Sequence, residues 1–216
     1  MLSDLERRLA AALAGPLPGV AAHMRLAPTP RPGWLPGRGP GDARAAAALL
    51  LLFPACGEVR VVLTVRSSSL PSHAGQVSLP GGAVEPGETI AQAALREAEE
   101  EIGVAPHTVR VLGELTPLHI PVSGYMLHPV VGVTDQRPEL RLADAEVDQV
   151  LEPSLDTLLD PACIRHRPRL RDTLFQDVPY FALGDLQVWG ATAMVLSEFL
   201  QVIAGSGRDL SESPAP

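Results

Sequence analysis

Leucines at positions 2, 5, 9 and 13 recur at the spacing of one helix face, and Ser3 with Glu6 can form a capping box, so residues 4–14 are predicted to form a short amphipathic helix. Its apolar stripe is expected to dock on the rest of the chain. Residues 27–42, APTPRPGWLPGRGPGD, hold too much proline and glycine for helix or strand and read as an arm or linker. Two apolar runs, Ala45 to Phe53 and Val59 to Val65, flank the turn-like Pro54-Ala-Cys-Gly57 and predict a hairpin. A long glycine- and proline-rich loop is expected over 67–88.

Ile90 to Ile102 carries the strongest helical signal. Thr89 and Gln92 supply a capping box and Gly103 a stop, while Ala91, Ala94, Leu95, Ala98 and Ile102 share one face. Strand-like stretches follow at 109–115, 126–133, 147–151, 163–169 and 178–188. A last helix is predicted over Ala191 to Ala204, with Met194, Val195, Phe199 and Ile203 turned inward and Gly205 ending it. The expected division is an N-terminal helix and arm (1–43), one α/β domain (44–205) and a polar tail (206–216).

With 46% apolar, 19% charged and 4% aromatic residues, the core must be built from Leu, Val and Ala, and wholesale disorder is excluded. Acids outnumber bases 25 to 17, for a net charge of −8, which argues against a nucleic-acid binder. Every basic residue is arginine. The two cysteines, Cys56 and Cys163, have neither disulfide-framework nor metal spacing, and the longest apolar run, Ala45 to Phe53, is too short for a bilayer. The N-terminus lacks the apolar core of a secretory signal, so a cytoplasmic protein without a membrane partner is expected.

On the 90–102 helix Glu97, Glu100 and Glu101 lie at i, i+3 and i+4, on one face, while Glu99 points nearly opposite. Like charges at this spacing destabilise a helix. The face is either solvated or holds a hard divalent cation, and Mg²⁺ and Mn²⁺ suit carboxylate oxygen best. Its context decides. From Gly82 the chain reads Gly, five residues, Glu88, seven residues, Arg96-Glu97-Ala98-Glu99-Glu100-Glu101-Ile102-Gly103-Val104. This resembles the Nudix box, with every fixed letter at its spacing; by chance such a match arises about once in 10⁷ to 10⁸ start positions. Ala98 stands where a larger aliphatic is usual.

The resemblance implies a Nudix-type α/β/α sandwich with a mixed sheet, the catalytic loop-helix on one side, and a hydrolase of nucleoside diphosphate derivatives. It implies Glu97, Glu100 and Glu101 as catalytic metal ligands, the Gly81 carbonyl completing the Mg²⁺ or Mn²⁺ shell, and Arg96 with Glu88 as a supporting pair at the loop-helix junction. Glu146 stands where such enzymes often carry a further acid; a surface acid is the equal alternative.

Upstream, Leu63-Thr-Val-Arg66-Ser67 through Gly75, Val77, Pro80, Gly81 and Gly82 is similar to the motif of the coenzyme A pyrophosphatase subfamily. Pro71 replaces an arginine and Leu79 a phenylalanine. Tyr180-Phe181 and Val188-Trp189-Gly190 are similar to that subfamily's closing strand and last helix start. The resemblance implies cleavage of CoA or acyl-CoA to 3′,5′-ADP and (acyl-)4′-phosphopantetheine, with Arg66, Ser67, Gly75, Gly81 and Gly82 contacting substrate. Arg66 is the first candidate for the extra ribose phosphate of CoA. Pro117 and Pro121 keep ADP-ribose as the alternative substrate, and a non-catalytic nucleotide-binding protein is the third reading. His73 reads as a surface residue. Arg165, Arg167, Arg169 and Arg171 alternate on what Pro168 makes an edge strand, which guides a polyanion, contacts a partner or, the favoured reading, forms a solvated edge. The expected partner is a small nucleotide, and a homodimer is left open.

Overall fold

The computed structural model describes residues 2–37, 39–68, 75–143, 145–171 and 173–206. Two helices, α1 (Leu2–Leu13) and α2 (Gly19–Arg25), precede the long strand β1 (Arg44–Ala55) and its hairpin partner β2 (Glu58–Val61). Cys56 and Gly57 between them have φ of 52° and 79°, the left-handed pair that a two-residue hairpin turn uses. Next come β3 (Leu63–Arg66), β4 (Val77–Ser78), β5 (Gly81–Ala83) and helix α3 (Ile90–Ile102). The chain continues through β6 (Arg110–Glu114), β7 (Leu118–Ile120), β8 (Tyr125–Val133), β9 (Val147–Leu151) and α4 (Leu155–Leu159). It ends in β10 (Ile164–Arg171), β11 (Leu174–Leu183), β12 (Leu186–Trp189) and α5 (Ala191–Ser206).

The central sheet runs β2-β1-β8-β6, with β5 beside β1 and β7 beside β8. Its β1–β8 pair is parallel and the rest antiparallel, so the sheet is mixed, as expected. Two small antiparallel sheets, β10-β11-β12 and β4-β3-β9, flank it. The unbroken apolar run of β1 follows from burial on both faces. Ala48, Leu50 and Leu52 join a cluster with residues of α1 and α5, whereas Ala47, Leu49, Leu51 and Phe53 pack with Ala93, Ala94, Ala98 and Ile102 of α3. Alternation along one strand thereby makes three layers, α/β/α.

The N-terminal helix belongs to this core: Leu5, Leu9 and Leu13 are buried in the α5-side cluster. Leu9→Ala, at a position with no exposed surface, is expected to cost about 3 kcal/mol, read as a shift in the urea midpoint. An unshifted midpoint would mean that α1 is not part of the cooperative core.

Several local expectations need correction. Helix α1 starts at Leu2, which puts Ser3 inside it rather than at its cap. Glu6 instead bonds Arg110 of β6 at 2.9 Å, and Arg110 also pairs with Asp135 at 2.8 Å. The second arm of the predicted hairpin breaks at Val62, and β3 leaves for another sheet. The expected loop 67–88 contains β4 and β5. The stretch 178–188 is a hairpin, with Leu183 opposite Leu186 around Gly184 and Asp185. Helix α5 carries through Gly205 to Ser206, whose hydroxyl donates to the Ile203 carbonyl at 2.8 Å. Pro71, His73, Asp144 and the tail beyond Ser206 lie outside the described residues.

Helix α2 and strand β7 have no counterpart in the sequence reading. Helix α2 has no side-chain cap and is held from outside by Glu198 of α5. That carboxylate, wholly buried, accepts from the Gly19 amide at 2.9 Å and from the Thr116 amide and hydroxyl at 3.1 and 2.6 Å, and pairs with His23 Nε2 at 2.9 Å.

Candidate active site

Helix α3 is fixed at both ends by its own sequence. Thr89 Oγ1 accepts from the Gln92 amide at 3.2 Å, Gln92 Oε1 accepts from the Thr89 amide at 2.9 Å, and Gly103 ends the helix at φ 73°. A rigid helix therefore presents the glutamates at set depths. The Glu97 side chain is 16% exposed, that of Glu100 59%, and Glu101 is 4% exposed. The face predicted from periodicity thus runs from solvent into the core.

Arg96 ties the segment before the helix to the helix itself. Its Nε donates to Glu88 Oε1 at 2.7 Å and Nη2 to the Ala83 carbonyl at 3.0 Å, while Nη1 reaches Glu97 Oε1 at 2.9 Å and Glu100 Oε2 at 3.0 Å. The hydrogen bond to Glu88 does most to raise the Arg96 pKa and to lower that of Glu88. Glu97 and Glu101 move the other way. Burial raises both carboxyls, Glu101 to about 7, and repulsion from the exposed Glu146 adds to the shift at each. Arg66, at the end of β3, opposes the shift at Glu101, as does a hydrogen bond to the Gly81 backbone.

The chemistry of these groups fits a cation. Glu101 Oε2 is buried with no hydrogen-bond partner among the described residues, a position that a hard cation or a water bound to it would satisfy. Among the described residues no three Asp, Glu, His or Cys side chains already form a finished cage. Arg96 takes one oxygen from each of Glu97 and Glu100 and leaves the other oxygen of each to a cation.

Both glycines before the helix are required, for different reasons. A Cβ on Gly81 would stand 2.6 Å from Ala48 Cα in the neighbouring strand, whereas one on Gly82 would stand 2.6 Å from Glu97 Oε2. A backbone clash disrupts the sheet; a side-chain clash moves only a carboxylate. Gly81→Ala is therefore expected to destabilise the fold by about 2 kcal/mol. Gly82→Ala should leave the melting temperature nearly unchanged and lower kcat about tenfold, measured with scanning fluorimetry and chromatographic quantification of 3′,5′-ADP formed from CoA. Equal melting temperatures for the two variants would contradict this assignment.

A cavity of about 500 Å³ opens on Gly81 and Gly82 and is also lined by Arg66, Gln76, Leu127 and Thr192. Ser67, 3% exposed, and Gly75, exposed at φ 70° with its amide donating to the Arg66 carbonyl at 3.0 Å, are not among the residues that line this cavity. The cavity also takes in residues that the sequence reading did not assign to the site: Arg31 of the arm, Arg169 of the arginine stripe, and Trp189, named there for its likeness to the last helix start. The alternation 165–171 signalled a cationic face, and guiding a polyanion was one of its readings, but nothing local placed it on this cavity.

Carboxylates on a rigid helix, a glycine turn pressed against them and an arginine-lined cavity suit one class of protein, a hydrolase of pyrophosphate bonds. The NUDIX domain model matches residues 43–173. The chain is 34% identical over 163 residues to the Nudix hydrolase NudL of Photorhabdus laumondii, covering 75% of this chain and 87% of that one. It is 38% identical over 159 residues to NudL of an Escherichia coli strain, covering 70% and 79%. Among solved structures, the Nudix hydrolase RenU from M. Smegmatis shares the fold at TM-score 0.54, with 19% identity over 79% of this chain and 91% of that one. The chain belongs to the Nudix family. It is a hydrolase acting on pyrophosphate bonds, and hydrolases of this family generally use divalent metal ions. None of the described helices is long and apolar enough to cross a membrane.

Proposed function

We propose that the protein is a cytoplasmic hydrolase of the diphosphate in coenzyme A and acyl-coenzyme A, releasing 3′,5′-ADP and (acyl-)4′-phosphopantetheine with Mg²⁺ or Mn²⁺. The observation that carries the reading is the placement of Arg66. It ends the strand bearing the CoA-type motif, lines the cavity and acts electrostatically on Glu101. One guanidinium thereby faces both the carboxylate helix and the space for substrate.

Glu97, Glu100, Glu101 and the Gly81 carbonyl would hold the cation, which supplies positive charge against the diphosphate oxygens and eases deprotonation of the attacking water. Glu101 orients that water through its otherwise unpartnered Oε2. Arg66 neutralises a diphosphate oxygen and lowers the repulsion that water meets on approach. Arg96 and Glu88 keep the helix start against β5, so the carboxylates do not move as charge develops.

The discriminating experiment compares kcat/KM for CoA, acetyl-CoA, a long-chain acyl-CoA, ADP-ribose and NADH. CoA species are expected to lead by about tenfold or more. ADP-ribose cleaved in preference to CoA would overturn the substrate reading and leave the family chemistry in place.

A further inference from the structure

Of the arginines facing the cavity, Arg66 answers to the carboxylate helix. Arg31 and Arg169 do not. Arg31 is partly buried, its guanidinium lies 5.1 Å from the centre of the Trp34 ring, and its Nη1 contacts Met194 Sδ. Among the described residues no carboxylate pairs with it. Burial pushes its pKa down to about 10, the mark of a cation short of solvent and of counter-charge. Arg169 stacks on Trp189 at 4.5 Å, with Arg167 on the same ring at 5.6 Å. Stacking fixes the guanidinium plane and leaves its N–H edge free to meet an anion.

The fold joins these two residues, which are far apart in sequence. Thr29 exchanges two backbone hydrogen bonds with Asp177 of β11, at 2.9 and 2.8 Å, so the arm adds itself to the small sheet. Gln176, directly across from Arg169 in the β10–β11 pair, donates through Nε2 to the Pro30 carbonyl at 2.6 Å. Arg31 is thereby delivered to the same cavity wall as Arg169 and Trp189. In a chain with 25 acids against 17 arginines, two cations on a cavity wall with no carboxylate among its described residues are an unbalanced charge that a ligand can balance.

We propose that Arg31 and Arg169 form a subsite for a phosphate monoester that the substrate carries apart from its diphosphate. The inference rests on the CoA reading and deepens it. It moves recognition of the ribose phosphate from Arg66, which serves the diphosphate, to the arm and the small sheet.

Trp34 and Trp189 are the only tryptophans in the chain, and each carries one of these arginines, so intrinsic fluorescence reports on the subsite. Metal-free protein is titrated with 3′,5′-ADP and with 5′-AMP, which lacks the second phosphate. The wild type is expected to bind 3′,5′-ADP about tenfold or more tighter. Arg169→Gln and Arg31→Gln should each remove most of that preference. In turnover, both should raise KM for CoA about tenfold more than KM for 3′-dephospho-CoA. Arg169→Gln, on an edge strand, keeps the test decisive if Arg31→Gln fails to fold. Equal binding of the two nucleotides by the wild type, or equal losses for both ligands in the variants, would overturn the subsite. Tight, arginine-dependent 3′,5′-ADP binding without CoA cleavage would instead sustain the subsite and defeat the reading of the reaction.

Discussion

Glu101→Gln is expected to lower kcat by about 10³-fold while the melting temperature at pH 8 holds or rises. The size of the loss follows from the two tasks assigned to one carboxylate, cation binding and orientation of the attacking water; proton handling by a positioned group alone contributes about 10² to 10⁴-fold. The stability result follows from burial. Glu101 is 4% exposed, its pKa is raised to about 7, and Oε2 lacks a partner. A buried charge held under those conditions works against folding, so an amide of the same shape removes a burden. Activity and stability therefore separate at this residue. A variant that loses both together would show that Glu101 supports the fold rather than the reaction.

Glu198→Ala should give the largest loss of stability, about 3 to 5 kcal/mol, or roughly 10 °C in melting temperature. Burial alone would raise the pKa of this carboxyl, but His23 and Thr116, with the Gly19 amide, hold it below the ordinary value of 4.5. Removing it leaves four donors facing an empty space, among them His23, which is 1% exposed. The pH dependence has a definite sign. A depressed folded pKa contributes stability that is fully present above 4.5 and is lost as pH falls through the lower, folded value. Thermal scans from pH 7 to pH 3 should therefore show the wild type converging on the variant at the acid end. A gap that stays constant across that range would place the effect in packing and not in charge.

The contrast between helices α3 and α2 shows which parts of the fold the sequence reveals. The ends of helix α3 are readable to the residue because their signals are local, Thr89 and Gln92 capping it and Gly103 stopping it, whereas its buried face centres on Ala93, Ala94, Ala98 and Ile102 and leaves Ala91 and Leu95 of the expected face half-buried. Helix α2 has no cap and is held by Glu198, far along the chain, so no window of sequence contains its cause. The β11–β12 hairpin is a different case. Its turn, Gly184-Asp185, is a usable two-residue signal, but it lies within an apolar run that reads as one strand. At the site, the carboxylates, Arg96, Glu88 and the paired glycines are contiguous and were all visible as a motif. Arg31 was visible only as part of an arm, Arg169 as part of a stripe for which guiding a polyanion was one reading, and Trp189 as part of a last-helix motif, because a cavity wall assembled from three distant segments leaves no spacing to read.

Mass-spectrometric analysis of the products formed from CoA tests the proposed reaction most directly. Wild-type protein is incubated with Mn²⁺, with an excess of EDTA, and as Glu101→Gln with Mn²⁺. The expected result is 3′,5′-ADP and 4′-phosphopantetheine in equal amounts, formed only by the wild type with metal. Intact CoA in all three samples, or cleavage that survives both EDTA and Glu101→Gln, would contradict it.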